Sequence, residues 1–554
     1  MALTFFQSVS YDTVLHRNRF PVDNHPRASV NANILPSLLK IMLHSCRLID
    51  TVSHSVAQRT SGGLVSSGKD IIKEDYALTD LISFINNILW GSVLIYLLIG
   101  AGLYFTFRTG FIQFRHFGHM FSVLKNSNKV DSGGISSFQA LCTSLAARVG
   151  TGNLTGVAIA LTAGGPGAIF WMWIIALIGM ATSFIESTLA QLYKTRDDQG
   201  NFRGGPAYYM EKGLGMRWMG ILFSLFLLVA FGLVFNAVQA NSIAQATAVA
   251  FHISPQYVGM TLVVICGVVI FGGLRSIART AELIVPVMAI AYLLLAFWVM
   301  GHNLARLPEV LMLVIKSAFG LQEAAAGAVG YGISQAMTQG IQRGLFSNEA
   351  GMGSAPNAAA SATPYPPHPA SQGYVQMLGV FMDTLVICSA TAAIILSSGV
   401  LDAAPGSISG IELTQRALSS AVGDWGGTFI AVAIFFFAFT SIIANYAYAE
   451  SNLIFLEHNH PSGLIFLRLG TLGMVMFGAL AELPLVWKMA DLSMALMAIT
   501  NLIAILLLSG VAFKLARDYN HQRRLGLVPT LDLSKYPEIQ QQVEPGIWEK
   551  PARK

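Results

Sequence analysis

The stretch Arg148 to Val157 reads RVGTGNLTGV, three glycines and four hydrogen-bonding side chains set inside an apolar run. Glycines at 150 and 152 permit backbone angles that other residues resist, so a helix can unwind there. Unwinding frees amide and carbonyl groups that lipid cannot satisfy, which must therefore meet protein or a ligand. The freed N–H groups of Thr151 and Gly152 open a second half-helix, where the dipole favours an anion such as a carboxylate. The freed carbonyls of Ala146 and Val149 close the first half-helix and suit a hard cation such as Na⁺. One break thus fits a zwitterion together with an ion. Taken alone, the glycines also fit tight helix packing, and G-x-G-x-x-x-G without a preceding strand is no dinucleotide fingerprint.

Other residues complete the chemistry. In FAFTSIIANYAYAES, Phe437 to Ser451, the adjacent hydroxyls of Thr440 and Ser441 lie mid-helix, with Asn445 one turn on. They would finish an oxygen cage for sodium, or bond only their own backbone. Asn236 and Gln239 share a helix face at i, i+3 and, with Asn241, face a substrate or join neighbouring helices. Met337 is an adaptable pocket wall or core packing. Arg148, Glu186, Glu282, Glu349 and Asp383 are costly near lipid; the reading favours gating or structural ion pairs over ligand contact. EHNH, Glu457 to His460, lies at a helix end and is a weak metal candidate.

The elements that must position these residues are membrane helices. The chain has 554 residues, 54% hydrophobic and 11% charged, against roughly 25% charged in soluble domains. Stretches of about 20 apolar residues, the length needed to cross roughly 30 Å, fall at 83–107, 137–162, 168–192, 217–250, 257–274, 281–300, 309–342, 374–400, 427–456, 463–482 and 486–513. This predicts an all-α integral membrane protein with eleven helices. Basic residues concentrate in alternate loops, from Arg108, Arg115, Lys125 and Lys129 to Lys514, Arg517, Arg523 and Arg524. By the positive-inside rule these loops are cytoplasmic, which puts the N-terminus outside and the C-terminus inside.

Three regions follow: a polar extension, 1–80, read as disordered; a transport domain, 81–515; and a cytoplasmic tail, 516–554. MALTFF lacks the basic start and long apolar core of a signal peptide, and TPYPPHPAS, Thr363 to Ser371, reads as a semi-rigid cytoplasmic connector. The net charge of +5 belongs to those loops, so nucleic acid is set aside. Four scattered cysteines form no disulfide framework.

Two predicted spans are unlike the rest. The second holds Arg148 to Gly156; the seventh holds GAVGYGISQAMTQGIQRG, Gly327 to Gly344, again rich in glycine and amides. They lie five helices apart and enter from opposite sides. Paired interruptions of this kind point to an inverted-repeat transporter with its ligands near the midplane. An embedded enzyme would need a catalytic set such as H-E-x-x-H, and a channel a filter or charged ring; the reading is therefore of a transporter, not an enzyme, without a cofactor.

VGTGNLTGVAIALTAGGPGAIFWMW, RGLFSNEAGMGSAPNAAASA and GGPAYYM at Gly204 to Met210 resemble the alanine/glycine:cation symporter family, the sodium–alanine symporters, over about residues 81–515. VGTGN is also similar to the V-G-x-G-N of the neurotransmitter–sodium symporters. The resemblance implies one N-terminal helix followed by a five-plus-five inverted-repeat core with discontinuous helices. It implies sodium-coupled symport of a small neutral amino acid through the cell membrane, with proton coupling as the rival. Gly150, Thr151, Gly152 and Asn153 would lie at the substrate, and Ala146, Val149, Thr440 and Ser441 at sodium. Many family members carry a tryptophan where this chain has Asn445, which implies a roomier or more polar pocket.

Overall fold

A computed structural model describes residues 80–125, 134–321, 326–403, 408, 410–457 and 461–548. The 1–80 extension falls almost wholly outside the described residues, as do His458 to His460 of the EHNH stretch. The described chain is a helical assembly with only four two-residue strands. The elements that matter here are α1 (Asp80–Arg108), α4 (Gly152–Gly164), α6 (Arg217–Phe251) and α9 (Ala370–Ser398); with them stand α2 (Phe117–Lys125), α3 (Ser137–Arg148), α5 (Gly167–Leu192), α7 (Ala326–Asn348), α8 (Ala355–Ser361), α10 (Trp425–Glu457), α11 (Pro461–Leu480) and α12 (Leu483–Arg524). Among the described residues, eight helices are long and apolar enough to cross a membrane.

One predicted span is corrected. The stretch 309–342 is two helices, Leu307–Ala318 and α7, rather than one. Gly320 adopts a left-handed φ of +65°, Gly320 N–H bonds Ser317 O, and Leu321 N–H reaches back 2.9 Å to Lys316 O. This is a glycine stop of the Schellman kind, invisible to hydropathy. The second predicted span also divides, into α3 and α4, at the expected glycines.

Packing explains how the divided segment is held. α3 begins in a capping box, Ser136 Oγ accepting from Gln139 N and Gln139 Oε1 accepting from Ser136 N, which satisfies two of the free amides of its first turn. A parallel pairing of Ile135–Ser136 with Ala362–Thr363 ties this start to the end of α8. α5 packs along α7 and α9, while α6 packs between α10 and α11. Their interlocked apolar side chains form two large buried clusters, and the divided helix runs between them.

The tail folds back rather than trailing away. Leu531 N–H bonds Pro367 O within the proline-rich connector, Lys514 pairs with Glu538 at 2.8 Å and Lys212 with Glu544 at 2.6 Å. Trp548 Nε1 donates to Leu192 O at 3.2 Å, joining the tail to the end of α5.

Candidate functional site

α3 ends at Arg148, and Val149, with ψ of 89°, leaves the helix. Helical turns resume at Thr151, and residues Gly152–Gly156 wind as a wider π-type turn, a form that often marks functional positions. Every residue from Ala146 to Val157 is buried. The freed groups find Asn153 of the same stretch and side chains from two other elements. Gly150 N–H donates to Asn153 Oδ1 (3.0 Å), Thr151 N–H donates to Gln239 Oε1 of α6 (3.0 Å), and Ala146 O accepts from Ser441 Oγ of α10 (2.7 Å).

Gly150 is required by this crowding. A Cβ there would lie 2.4 Å from Ser441 Oγ and 2.8 Å from Gln239 Oε1. Gly152 is nearly as tight, since its Cβ would stand 3.0 Å from Ser347 Cα and 3.2 Å from Phe346 Cδ1. Ala146, Gly150, Thr151, Gln239 and Ser441 are thus brought together, with Val149 and Gly152 at the same break.

The remaining expected residues divide. Thr440 Oγ1 bonds the Phe437 carbonyl of its own helix (2.9 Å), as hydroxyls in membrane helices often do. Asn445 Nδ2 donates to Asn236 Oδ1 (3.1 Å), and Asn236 Nδ2 holds the carbonyls of Phe231 and Gly232. Asn445 Oδ1 is buried without a hydrogen-bond partner among the described residues. Asn241 is interhelical, donating to Gly478 O and Ala481 O beyond the end of α11. Met337 lies ten residues before Ser347 on α7, roughly 15 Å along the axis at 1.5 Å per residue, and packs half-buried against the core. The structure does not bring it to the break.

Asn153 leads to a second cluster that the spacing did not reveal. Its Nδ2 donates to Asp383 Oδ1 of α9 (2.7 Å) and lies 3.2 Å from Ser347 Oγ. Asp383 Oδ2 also accepts from Ser347 Oγ (2.7 Å) and Thr384 Oγ1 (2.8 Å), with Cys388 Sγ 3.2 Å from Ser347 Oγ. Asp383 is fully buried, and its neighbours in hydrogen-bonding distance are all neutral. Of the two roles expected for Asp383, gating or a structural ion pair, the ion pair is not formed among the described residues.

The other membrane charges follow the same pattern. Arg148 donates to Gln376 O (3.3 Å), Glu282 accepts from Gln139, and Glu349 accepts from Ser354. Glu186 accepts from Gly351 N–H (3.3 Å) and Asn501 Nδ2 (3.0 Å). None of these four forms a salt bridge among the described residues; the buried pairs are Arg343 with Asp491 and Arg203 with Asp197 and Glu450. Neutral amides, hydroxyls and backbone groups serve where opposite charges were expected.

The interruption expected within 327–344 lies elsewhere. α7 is helical through Asn348, and the chain then turns at Glu349 to Ser354, with Glu349, Gly351 and Gly353 all at positive φ (58°, 91° and 86°). The glycines inside α7 do something different: a Cβ on Gly340 would meet Ala168 O at 2.3 Å, and on Gly344 Ile175 Cγ2 at 2.6 Å. They let α7 lie close against α5.

Aromatic rings wall the break. Phe346 packs against Phe235 (centroids 4.8 Å apart) and Trp487 (4.6 Å), and Trp487 Nε1 is buried without a partner among the described residues. In the sequence these rings are indistinguishable from the other aromatic residues of apolar helices. These rings close over a break whose amide donors lie on one side and whose backbone and hydroxyl oxygens lie on the other.

Residues 75–533 match the model of the sodium:alanine symporter family. The chain is 54% identical over 472 residues to the uncharacterized transporter YaaJ of Escherichia coli, covering 85% of this chain and 99% of that one. It is 52% identical over 454 residues to the probable sodium/glutamine symporter GlnT of Bacillus subtilis, covering 82% and 93%. It is 39% identical over 453 residues to the sodium/alanine symporter AgcS of Methanococcus maripaludis, covering 80% and 98%.

Proposed function

The chain belongs to the sodium:alanine symporter family, a family of membrane transporters, and from that premise we propose that it carries a small neutral amino acid of the alanine/glycine class into the cell together with sodium, by alternating access. The observation that carries this reading is the buried break at Val149–Gly150, where Thr151 N–H meets the Gln239 carboxamide oxygen and Ala146 O meets the Ser441 hydroxyl.

The Gln239 oxygen sits where a substrate carboxylate oxygen would sit. When the substrate enters, its carboxylate replaces that oxygen on Thr151 N–H and takes the neighbouring amide of Gly152, while Gln239 turns aside. The positive end of α4 favours the exchange, because a full charge gains more from the helix terminus than an amide dipole does. Sodium binds the carbonyls of Ala146 and Val149 with the hydroxyls of Thr440 and Ser441, an oxygen set suited to a hard cation. Asn236 and Asn445 line the side-chain end of the pocket with Phe346 and Trp487. The N-terminus lies outside and the C-terminus in the cytoplasm, the side of the basic loops. One Na⁺ crossing 100 mV provides about 2.3 kcal/mol, and a tenfold gradient about 1.4 kcal/mol more. Together they support accumulation of a neutral solute on the order of several hundredfold.

Two observations favour extensions of this reading. The buried, partner-free Asn445 Oδ1 can accept from a side-chain amide, which adds glutamine to the substrates worth testing beside a relative named as a probable glutamine carrier. Asp383, surrounded by neutral donors, favours proton coupling as the rival. Purified protein in liposomes, offered labelled alanine, glycine and glutamine under an imposed sodium or pH gradient, separates the cases. Sodium-driven accumulation is expected; accumulation driven by the pH gradient alone transfers the coupling role to the proton, and accumulation under neither overturns the reading.

A further inference from the structure

Where α1 and α12 end side by side, they enclose a cavity of about 320 Å³ with the short helix Ile112–Arg115. Arg108, Arg115, Arg517 and Arg524 line it together with His116 and His521, and no carboxylate does. All four arginines are exposed, and none forms an ion pair among the described residues. Arg115 gives one N–H to Gly110 O and Arg517 one to Phe513 O, each at 3.3 Å. Arg108 stacks over the Phe513 ring, 5.1 Å from its centroid, and all four side chains line the cavity. The carboxylates of this corner are engaged elsewhere, Asp518 by His368 and Gln522 and Glu538 by Lys514.

Four like charges gathered without counter-charge repel one another, and the arrangement becomes favourable when an anion joins them. His116 does not add to that charge: burial first, and then the field of Arg523, pushes its pKa down to about 4. The forks are what guanidinium groups use to grip phosphate oxygens in pairs. Beside the cavity, Phe107, Phe111, Phe114, Phe117 and Phe121 all stand exposed along α1, the short helix and α2. Such a belt of exposed aromatic residues next to arginines suits the boundary between headgroups and acyl chains.

We propose that this cavity binds the phosphate of an anionic phospholipid, with the phosphodiester among Arg108, Arg115, Arg517 and Arg524 and the acyl chains laid along the phenylalanines. A free phosphate offers the same oxygens but nothing for the aromatic belt. The lipid would staple α1 to α12, the first and last long helices described, at one membrane face. The inference rests on the chain being embedded in a membrane and not on which solute it carries, so failure of amino-acid uptake would leave it standing.

The test uses the full-length protein in detergent, titrated with phosphatidylglycerol or phosphatidylcholine of matched acyl chains, or with inorganic phosphate, and followed by native mass spectrometry. Phosphatidylglycerol should bind well ahead of phosphatidylcholine. At about 1 kcal/mol per basic residue near an anionic surface, each arginine is worth about fivefold. Combined Arg108→Gln, Arg115→Gln and Arg517→Gln should therefore weaken phosphatidylglycerol binding on the order of a hundredfold, whereas lysine at the same positions, which keeps the charge but not the forks, should weaken it less. Arg517→Gln alone, at an exposed position, should cost about fivefold and keeps the test open if the triple variant does not fold. Equal retention of the two lipids, or unchanged phosphatidylglycerol binding in the glutamine variants, overturns the proposal. Inorganic phosphate that binds as tightly as phosphatidylglycerol and displaces it assigns the cavity to a soluble anion, and overturns the lipid.

Discussion

Two of the buried places where the chain leaves helical geometry meet at Gly152 and Ser347, and the chain does so there by different means. At Val149–Gly150 neither residue takes a positive φ, and the freed groups are met by single side-chain contacts from Asn153, Gln239 and Ser441. At Glu349–Ser354 three residues take positive φ, and the loop is held through Glu186, Asn348 and Asn501. The difference lies in exchangeability. A neutral amide oxygen on one N–H can be replaced by a carboxylate at little cost. A turn that needs positive φ at Glu349, Gly351 and Gly353 and a buried carboxylate bonded across α5 and α12 loses several contacts together if any one yields. In the function proposed above, the first region lets a ligand come and go, and the second keeps its shape.

The largest effect that would test this contrast is expected from Gly152→Val. The branched side chain would crowd Ser347 and Phe346 and displace the carboxylate from two amides worth about 1.5–3 kcal/mol each as charge-assisted donors. Substrate binding should fall a hundredfold or more, measured by scintillation proximity on purified protein. Near-normal affinity would mean that the substrate lies away from the break.

Gly353→Ala probes the other region. Its φ of 86° disfavours any side chain, by about 1–2 kcal/mol for a left-handed residue, and a Cβ would stand 2.8 Å from Asn501 Cγ and from Pro206 Cγ. The apparent melting temperature should fall by at least a few degrees, while protein that remains folded keeps its sodium dependence. A changed half-saturating sodium concentration at unchanged stability would erase the distinction between the two regions.

These two glycines also show what could be read in the sequence. The break at 149–150 was legible because glycine coincides there with polar residues in a helix that is otherwise apolar. The second interruption was misplaced into 327–344 because glycines that turn the chain and glycines that admit a neighbour look alike in sequence. Gly351 and Gly353 carry positive φ; Gly340 and Gly344 are helical and touch α5. Asp383 was visible as a costly charge, but its partners come from α4 and α7 as well as α9, and no local spacing announces such a meeting. Phe346 and Trp487 gave no signal, since their role depends on tertiary packing. Most of the helices were legible from apolar length alone, and the one joined in error hid its end behind a single glycine, Gly320.

Ser441→Ala removes the hydroxyl on Ala146 O and one proposed sodium oxygen. A hydrogen bond to a charged group is worth about 1.5–3 kcal/mol, so the half-saturating sodium concentration for uptake should rise roughly tenfold or more. Thr440→Val should do less than Ser441→Ala, because both hydroxyls bond Phe437 O of their own helix but only that of Ser441 also reaches Ala146 O at the break. Equal and negligible effects of the two would remove this pair from the sodium site.

The smallest effect belongs to Gly156→Ala, four residues beyond Gly152 on the same helix. A Cβ there would meet Trp487 Cη2 at 3.5 Å and Thr151 O at 3.7 Å, both ordinary van der Waals separations. Gly156 has helical angles, φ −63° and ψ −41°, so alanine needs no rearrangement and favours the helix by up to about 1 kcal/mol. Affinity and sodium dependence should stay within about fivefold of the parent, with stability unchanged or slightly raised. If Gly156→Ala instead abolishes binding as Gly152→Val is expected to, the functional stretch extends a full turn into α4. The ligand would then rest against Trp487 rather than on the amides at the break, and the contrast between an exchangeable break and a fixed turn would have to be redrawn around the aromatic wall.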